Sequence, residues 1–458
     1  MNRIARRSFA VIVLTVLLAG GFVFFLVEYF TNAPAWAVHI GSAHAYNDEQ
    51  FQSGVVTDRD GELLLDMQGQ WTYSEDADVR KSTLHWIGDR EGNILIPAVP
   101  NYYEEVVGYS YINGLYTYGG IGNDSGSVEL TLSAKLQKIA LEAMDGRKGT
   151  VAVYNYKTGE ILCAVTTPTY DPDNIPDIAG NPETYEGAYM NRFMQSAYTP
   201  GSVFKIATLA AAIDTLPDVQ NQTFTCTGTW GGGEHPVTCE KKHGQQSLKD
   251  AFCNSCNCAF AQITVEIGSE TLKEYVDKMR ILESVEFDGI SSASGKLEVA
   301  QDPVSIAWSG IGQYTDLVNP CAYMTFMGAI ANDGRPAMPY IVAAADDGKD
   351  GYQAQTAYAE SAISRETASV LLQYMRYNVT TKYGDDNFPD LAVCAKTGTA
   401  EKDDGKASNG LFSGFVANEQ YPFAFFICIE EGGYGASSCI PVASKVLTAC
   451  KQLTDGTL

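Results

Sequence analysis

Basic residues are scarce in this chain of 458 residues: 31 Lys and Arg stand against 55 Asp and Glu, giving a formal charge of -24. Phosphate binding needs clustered cations, so the composition argues against nucleic acid as a partner. The acidity otherwise reads as a solvated, self-repelling surface. Long apolar runs are absent beyond the first thirty residues, so no second membrane span is expected. Internal repeats and heptads are missing too, which removes solenoid and coiled-coil architectures. Cysteine pairs at zinc spacing are lacking as well. Cys253-Asn254-Ser255-Cys256 is formally a C-x-x-C, but no second pair accompanies it, and Cys258 crowds it too closely for a disulfide framework. The count of 11 cysteines is odd and leaves at least one thiol unpaired. Cys226 and Cys239 flank the Gly-rich stretch from Thr229 to Gly233 and could close a small loop as a disulfide. The remaining cysteines read as free thiols.

What is present begins with Arg3, Arg6 and Arg7, followed by an uncharged apolar run from Phe9 to Val27 that suits a ~30 Å hydrocarbon core. The arginines predict a cytoplasmic amino end and an exported remainder. A cleaved signal peptide ending near Ala35-Trp36-Ala37 is the competing reading, but the run is longer than a signal peptide's apolar core. We therefore expect residues 1–30 to be a cytoplasmic stub and signal anchor, 31–127 a β-rich linker or pedestal domain, and 128–458 a catalytic domain. Asp60-Gly61 turns a hairpin within 54–64, and Asn123-Asp124-Ser125-Gly126 reads as a linker. Ser133 is placed to cap a helix over Ala134 to Met144. Residues 149–154 and 160–165 read as paired strands, Pro422 to Glu430 as another strand, and Pro441 to Leu453 as a closing helix. That order implies an α+β domain with an antiparallel sheet.

The chemistry concentrates in three short segments. Pro200-Gly201-Ser202-Val203-Phe204-Lys205 places a serine at the start of a helical run, with a lysine one turn later on the same face. A serine hydroxyl is a weak nucleophile until a base takes its proton, and a desolvated lysine can be that base. Taken alone, S-x-x-K is equally a helix start with an exposed lysine. Ser255-Cys256-Asn257 adds a second hydroxyl for proton relay and an amide for positioning. Val393 to Ala400 contains Lys396-Thr397-Gly398-Thr399, a strand with a fixed cation, two hydroxyls and a glycine allowing close approach. Such an edge can pair with an extended peptide and hold its carboxylate. Lys157-Thr158-Gly159 is a second K-T-G, but it lies in a hairpin turn, which explains it fully.

S-x-x-K, an S-x-N type triplet and K-T-G, in that order, form the signature of penicillin-binding proteins and β-lactamases. The chain resembles small monofunctional (class B) penicillin-binding proteins further. Asp58-Arg59-Asp60-Gly61 is similar to their early turn, Pro168-Thr169-Tyr170-Asp171-Pro172 and Asn191-Arg192 to segments before the nucleophile, and Gly310-Ile311-Gly312-Gln313 and Ala331-Asn332-Asp333-Gly334 to a later helical region. Ala395 replaces a usual glycine, and Leu411-Phe412-Ser413-Gly414 stands where many relatives carry W-F-x-G. The resemblance implies a penicillin-binding transpeptidase fold, an antiparallel sheet flanked by helices plus an all-helical part. It implies Ser202 as nucleophile, Lys205 as base, Ser255 as proton relay and Lys396 in the proton network. It makes Asn257 a ligand for the acyl group's amide, and gives the substrate carboxylate to Lys396, Thr397 and Thr399 beside Gly398. It implies no metal or organic cofactor. The implied partners are peptidoglycan stem peptides, β-lactam antibiotics, the cytoplasmic membrane through one helix, and a polytopic glycan polymerase of the shape, elongation, division and sporulation family. A D-Ala-D-Ala carboxypeptidase or β-lactamase would share the three motifs but needs a route for hydrolytic water, and no deacylating-glutamate motif is seen. A β-lactam-binding receptor should carry further spans and a cytoplasmic signalling part, and a dead scaffold would not need intact triplets.

Overall fold

The computed structural model describes residues 2–37, 54–67, 71–102, 106, 126–346, 351–401 and 406–458; the expected linker, apart from Gly126, lies outside them. The elements that position the site are, in chain order, α1 (Asn2–Ala37), α2 (Ala77–Ile87), α3 (Ala134–Met144), β1 (Gly149–Asn155), β2 (Ile161–Thr167), α4 (Lys205–Thr215), α5 (Leu248–Cys253), α6 (Asn257–Ile267), α7 (Arg365–Asn378), β3 (Val393–Ala400), β4 (Asn409–Val416), β5 (Phe423–Ile429) and α8 (Gly435–Thr454). Among the described residues α1 is the one helix long and apolar enough to cross a membrane, and it fits a single-pass anchor. It runs on through Ala37, so Ala35-Trp36-Ala37 is helical.

The centre is a five-stranded antiparallel sheet in the order β3-β4-β5-β1-β2. Every residue of β4 and β5 is buried, because helices cover both faces and the strands therefore need apolar side chains on each. Val151, Val153, Phe425 and Ile427 pack with α3 and α8 on one side. Ala152, Tyr154, Ala424 and Phe426 pack on the other with α4, α6 and the buried helix Pro320–Ala331. The closing helix starts earlier than Pro441, at Gly435, with Pro441 inside it. Strand β3 stands at the sheet's edge, paired to β4 alone.

The amino-terminal hairpin forms as its turn residues dictate: Val55–Thr57 pairs with Leu63–Asp66, and Gly61 takes a positive φ of 81° at the turn. Those strands belong to a six-stranded sheet completed by Thr72–Tyr73, Ser127–Leu130, Val342–Asp346 and Tyr352–Gln353. The border drawn at 127 and 128 therefore falls inside one strand, and sequence-distant segments interleave there. Buried Asp58 locks the junction: its Oδ1 accepts from the N–H groups of Asp60 and Glu62, and its Oδ2 accepts from Ala134 N–H at the start of α3. Ser133 occupies the N-cap position of α3, but its side chain makes no capping bond. The cap comes from Asp58 instead, a carboxylate at the positive end of the helix. Arg80 on α2 grips Asp171 with two bonds of 2.7 Å, and Tyr170 donates to Asp89. The Pro168–Pro172 motif thus fastens the amino-terminal part to the sheet.

Candidate active site

Ser202 sits in a single 3-10 turn, Gly201–Val203, that leads into α4. Gly201 has φ 53°, and a side chain there would lie 2.5 Å from the Thr399 carbonyl oxygen. Only glycine lets the serine-bearing turn press this closely on β3. The turn is held from behind, with Gly201 N–H donating to the Gly312 carbonyl and Tyr323 O–H to that of Val203. Lys205, the first residue of α4, is fully buried with its Nζ 2.9 Å from Ser202 Oγ.

The S-x-N segment is the short link between α5 and α6. Ser255 N–H bonds back to the Phe252 carbonyl and Cys256 N–H to that of Ala251, a helix ending that requires a left-handed residue between them. Glycine usually fills that place; here Ser255 does, at φ 52°. An L-residue in that region costs roughly 1–2 kcal/mol. The conformation brings the hydroxyl between two lysines, with Ser255 Oγ 3.1 Å from Lys205 Nζ and 3.1 Å from Lys396 Nζ. Lys205 Nζ also lies 2.9 Å from the Ser255 carbonyl and 2.6 Å from Asn257 Oδ1, while Asn257 Nδ2 donates to the Thr238 carbonyl.

Burial pushes the Lys205 ammonium down to about 8, and burial followed by the neighbouring Lys205 charge holds Lys396 well below the usual lysine range. The rings of Phe260 and Phe252 lie beneath the two cations and keep water from them. A neutral amine has two N–H donors and one lone pair. Carbonyl and amide oxygens only accept, so Ser255 O and Asn257 Oδ1 take the two donors of neutral Lys205. The lone pair is left for a hydroxyl, and Ser202 Oγ is in reach of it. The arrangement can therefore remove a proton from Ser202 and pass one along Ser255.

Lys396 lies on β3, whose edge is partly occupied. Asn378 Nδ2 donates to the Ala395 carbonyl at 3.0 Å, and Tyr383 O–H receives the Thr397 N–H at 3.1 Å while its oxygen stands 3.1 Å from Thr397 Oγ1. Tyr383 closes a π-helical turn, Val379–Tyr383, that extends α7, and its ring stacks edge-on against Phe412. Nothing in the local sequence singles this tyrosine out. Ala395 keeps the strand regular because it faces Gly414 across the pair, where a side chain would stand 2.7 Å from the Ala395 methyl. The structure thus links Ser202, Lys205, Ser255, Asn257 and Lys396 in one chain of hydrogen bonds and sets Thr397, Gly398 and Thr399 along the adjoining strand. The second triplet, Lys157-Thr158-Gly159, lies in the β1–β2 turn.

This cluster sits within the segment matched by a single family model: the penicillin binding protein transpeptidase domain model covers residues 149–448, well over half the chain. The chain belongs to this family. Peptidoglycan D,D-transpeptidase PbpA from Mycolicibacterium smegmatis is 27% identical over 358 residues, covering 71% of this chain and 72% of that protein. Among solved structures, the D,D-transpeptidase domain of a peptidoglycan glycosyltransferase from Eggerthella lenta superposes with a TM-score of 0.71 at 24% identity, covering 89% of this chain and 100% of that one. The imipenem acyl-enzyme of penicillin-binding protein A from M. tuberculosis gives a TM-score of 0.75 at 21% identity, covering 89% and 100%. At that identity the two structures bear on the fold of this transpeptidase-family chain.

Proposed function

We propose that the chain is a peptidoglycan D,D-transpeptidase that cross-links stem peptides through an acyl-enzyme on Ser202. The observation that carries the reading is the fully buried Lys205 amine beside Ser202 Oγ, tied through Ser255 to a second buried lysine. Ser202 Oγ adds to the carbonyl carbon of the penultimate D-Ala as its proton passes to Lys205 Nζ. Backbone N–H groups of Ser202 and Thr399 hold the resulting oxyanion, an effect of roughly 10²–10³ in rate per donor. Collapse breaks the C–N bond, and the proton returns through Ser255 to the departing D-Ala amine. An acceptor amine then attacks the ester, gives its proton back along the same path, and frees Ser202. Thr397 and Thr399 receive the terminal carboxylate beside Lys396, Gly398 allows its approach, and Asn257 steadies the acyl amide. β-Lactams enter by the first step and leave slowly.

Labelling the full chain with fluorescent penicillin tests this. Stable label that vanishes in Ser202→Ala is expected. Rapid loss of label would point to a hydrolase, and a folded chain that takes no label would leave a scaffold. The same reading places α1 in the membrane with Arg3, Arg6 and Arg7 cytoplasmic, a 31–127 pedestal and a 128–458 catalytic domain outside. Protease added to intact cells should therefore degrade the body. A polytopic glycan polymerase of the shape, elongation, division and sporulation family is the proposed membrane partner. Deletion of residues 1–127 should abolish its co-purification, and retention would move the contact elsewhere.

A further inference from the structure

Three thiols and an imidazole from four separate turns of chain converge directly behind the Ser255 loop. Cys226 ends the strand Thr223–Cys226, Cys239 follows the strand Val237–Thr238, His243 precedes the strand Gly244–Ser247, and Cys256 caps α6. Their ligand atoms, Sγ of each cysteine and a ring nitrogen of His243, all lie within 4.8 Å of one another, with Cys226 and Cys256 buried. No disulfide joins Cys226 to Cys239, and none of the 11 cysteines is in a disulfide.

Two of the spacings match those around a shared metal. A tetrahedral zinc with bonds of ~2.3 Å to sulfur and ~2.0 Å to nitrogen holds neighbouring sulfurs ~3.8 Å apart and sulfur and nitrogen ~3.5 Å apart. Cys239 Sγ and Cys256 Sγ stand 3.7 Å apart, and Cys226 Sγ and His243 Nδ1 3.4 Å apart. A disulfide would consume two of these sulfurs and leave a thiol and an imidazole facing it without purpose. Backbone N–H groups already point at the sulfurs, Cys258 N–H at Cys239 Sγ and Ala259 N–H at Cys256 Sγ, as the charge of bound thiolates requires. The surrounding fold is thin, although Phe224 and Val237 reach the main core. The strands of 223–247 are two to four residues long and pair only in twos, an arrangement with little stability of its own in water.

We infer that Cys226, Cys239, His243 and Cys256 form a four-coordinate structural zinc site that staples residues 223–257 and fixes the loop carrying Ser255 and Asn257. Soft thiolates with one imidazole in tetrahedral array select zinc over the harder divalent cations. The link to catalysis is covalent. Cys256 lies between Ser255 and Asn257, whose side chains both contact Lys205, and Asn257 Nδ2 is anchored to the carbonyl of Thr238, the residue before Cys239. Metal at the four ligands would hold that loop from behind while Lys205 meets it from the front. The coupling rests on the Ser202 mechanism above; the metal site does not.

The test is metal analysis of the full chain, purified in detergent under reducing conditions without added metal. About one zinc per chain is expected, exchangeable for cobalt with thiolate-to-metal charge-transfer bands and tetrahedral d–d bands. Ser202→Ala should keep the metal, so failure of the acyl chemistry and failure of the site are told apart. His243→Ala and Cys226→Ser should lose it, and a folded variant that retains full zinc would overturn the ligand assignment. Because such variants can also misfold, the wild type is stripped with a chelator and reloaded with zinc. Stripping should slow penicillin acylation by about 10²-fold, as a misplaced catalytic group does, and zinc should restore it. Folded wild type that binds neither zinc nor cobalt overturns the site. Zinc whose removal leaves acylation unchanged overturns its hold on the Ser255 loop.

Discussion

Lysine, threonine and glycine follow one another twice in this chain, and the two copies live in opposite surroundings. Lys157 is exposed in the turn between β1 and β2, where its Nζ donates to Asn332 and Thr158 bonds its neighbour Glu160. Lys396 is fully buried on an edge strand, over a phenylalanine ring, with Ser255 Oγ and the Thr397 carbonyl as partners and a second lysine as its charged neighbour. The first cation is open to solvent. Removal of water and proximity of like charge depress the second, so that a proton moves through it readily. The tripeptide alone does not make a site; its depth and its neighbours do.

Replacing Lys396 should separate the copies most. Lys396→Met keeps the length and apolar stem but removes the charge. Penicillin acylation should slow by roughly 10²–10⁴-fold, the range of a lost proton-transfer group. The melting temperature should hold or rise, because a buried amine whose charged form burial and Lys205 disfavour has gone. A labelling rate within a few-fold of wild type would mean that Lys396 is no more than a buried strand residue. The pH profile is the next sharpest tool. Lys205 must be neutral to accept the Ser202 proton, and burial sets it at about 8. Acylation should therefore climb about tenfold per pH unit below that value and level off above it. Stability moves the same way. Between about 8 and the ordinary lysine value of 10.5 the unfolded chain binds the extra proton, so the folded state gains as pH rises. A flat acylation profile from pH 6 to 9 would remove Lys205 as the base.

Part of the difference between the copies was legible in the sequence, because turn chemistry marks Asn155 to Gly159, while Val393 to Ala400 reads as a strand carrying a fixed cation and two hydroxyls. So were the strands of the antiparallel sheet, the α4 entry at Pro200-Gly201 and the order of the three motif segments, since each signal is local in the sequence. What stayed hidden depends on contacts distant along the chain. The cap on α3 comes from Asp58 rather than the adjacent Ser133, and the six-stranded sheet draws on residues near 55, 128 and 344. The thiol and imidazole cluster escapes a spacing search because its ligands arrive from strand ends and a helix cap rather than from paired knuckles. Tyr383 has no signal at all, for its importance lies in a hydroxyl that meets β3 from another element.

That hydroxyl offers a smaller, finer test. Tyr383 is a positioning residue: it holds Thr397 by both its N–H and its Oγ1 and does not reach Lys205 or Ser202 by any bond found among the described residues. Tyr383→Phe keeps the ring against Phe412 and removes only the oxygen. A lost hydrogen bond of about 1.4 kcal/mol corresponds to a factor of ten, so the apparent binding constant for penicillin should weaken by roughly that much. The limiting acylation rate should stay near wild type, since the proton path through Lys205 and Ser255 is untouched. A fall confined to that limiting rate would instead place Tyr383 in the proton network. At the far end of the scale stands Lys157→Ala. It removes the same residue type from the same tripeptide, yet what is lost is an exposed bond to Asn332 and a surface contact over the Tyr156 ring. Stability should shift by no more than about 0.5 kcal/mol, and labelling should match wild type. If Lys157→Ala slowed acylation as Lys396→Met does, the contrast in burial would not be what separates the two triplets.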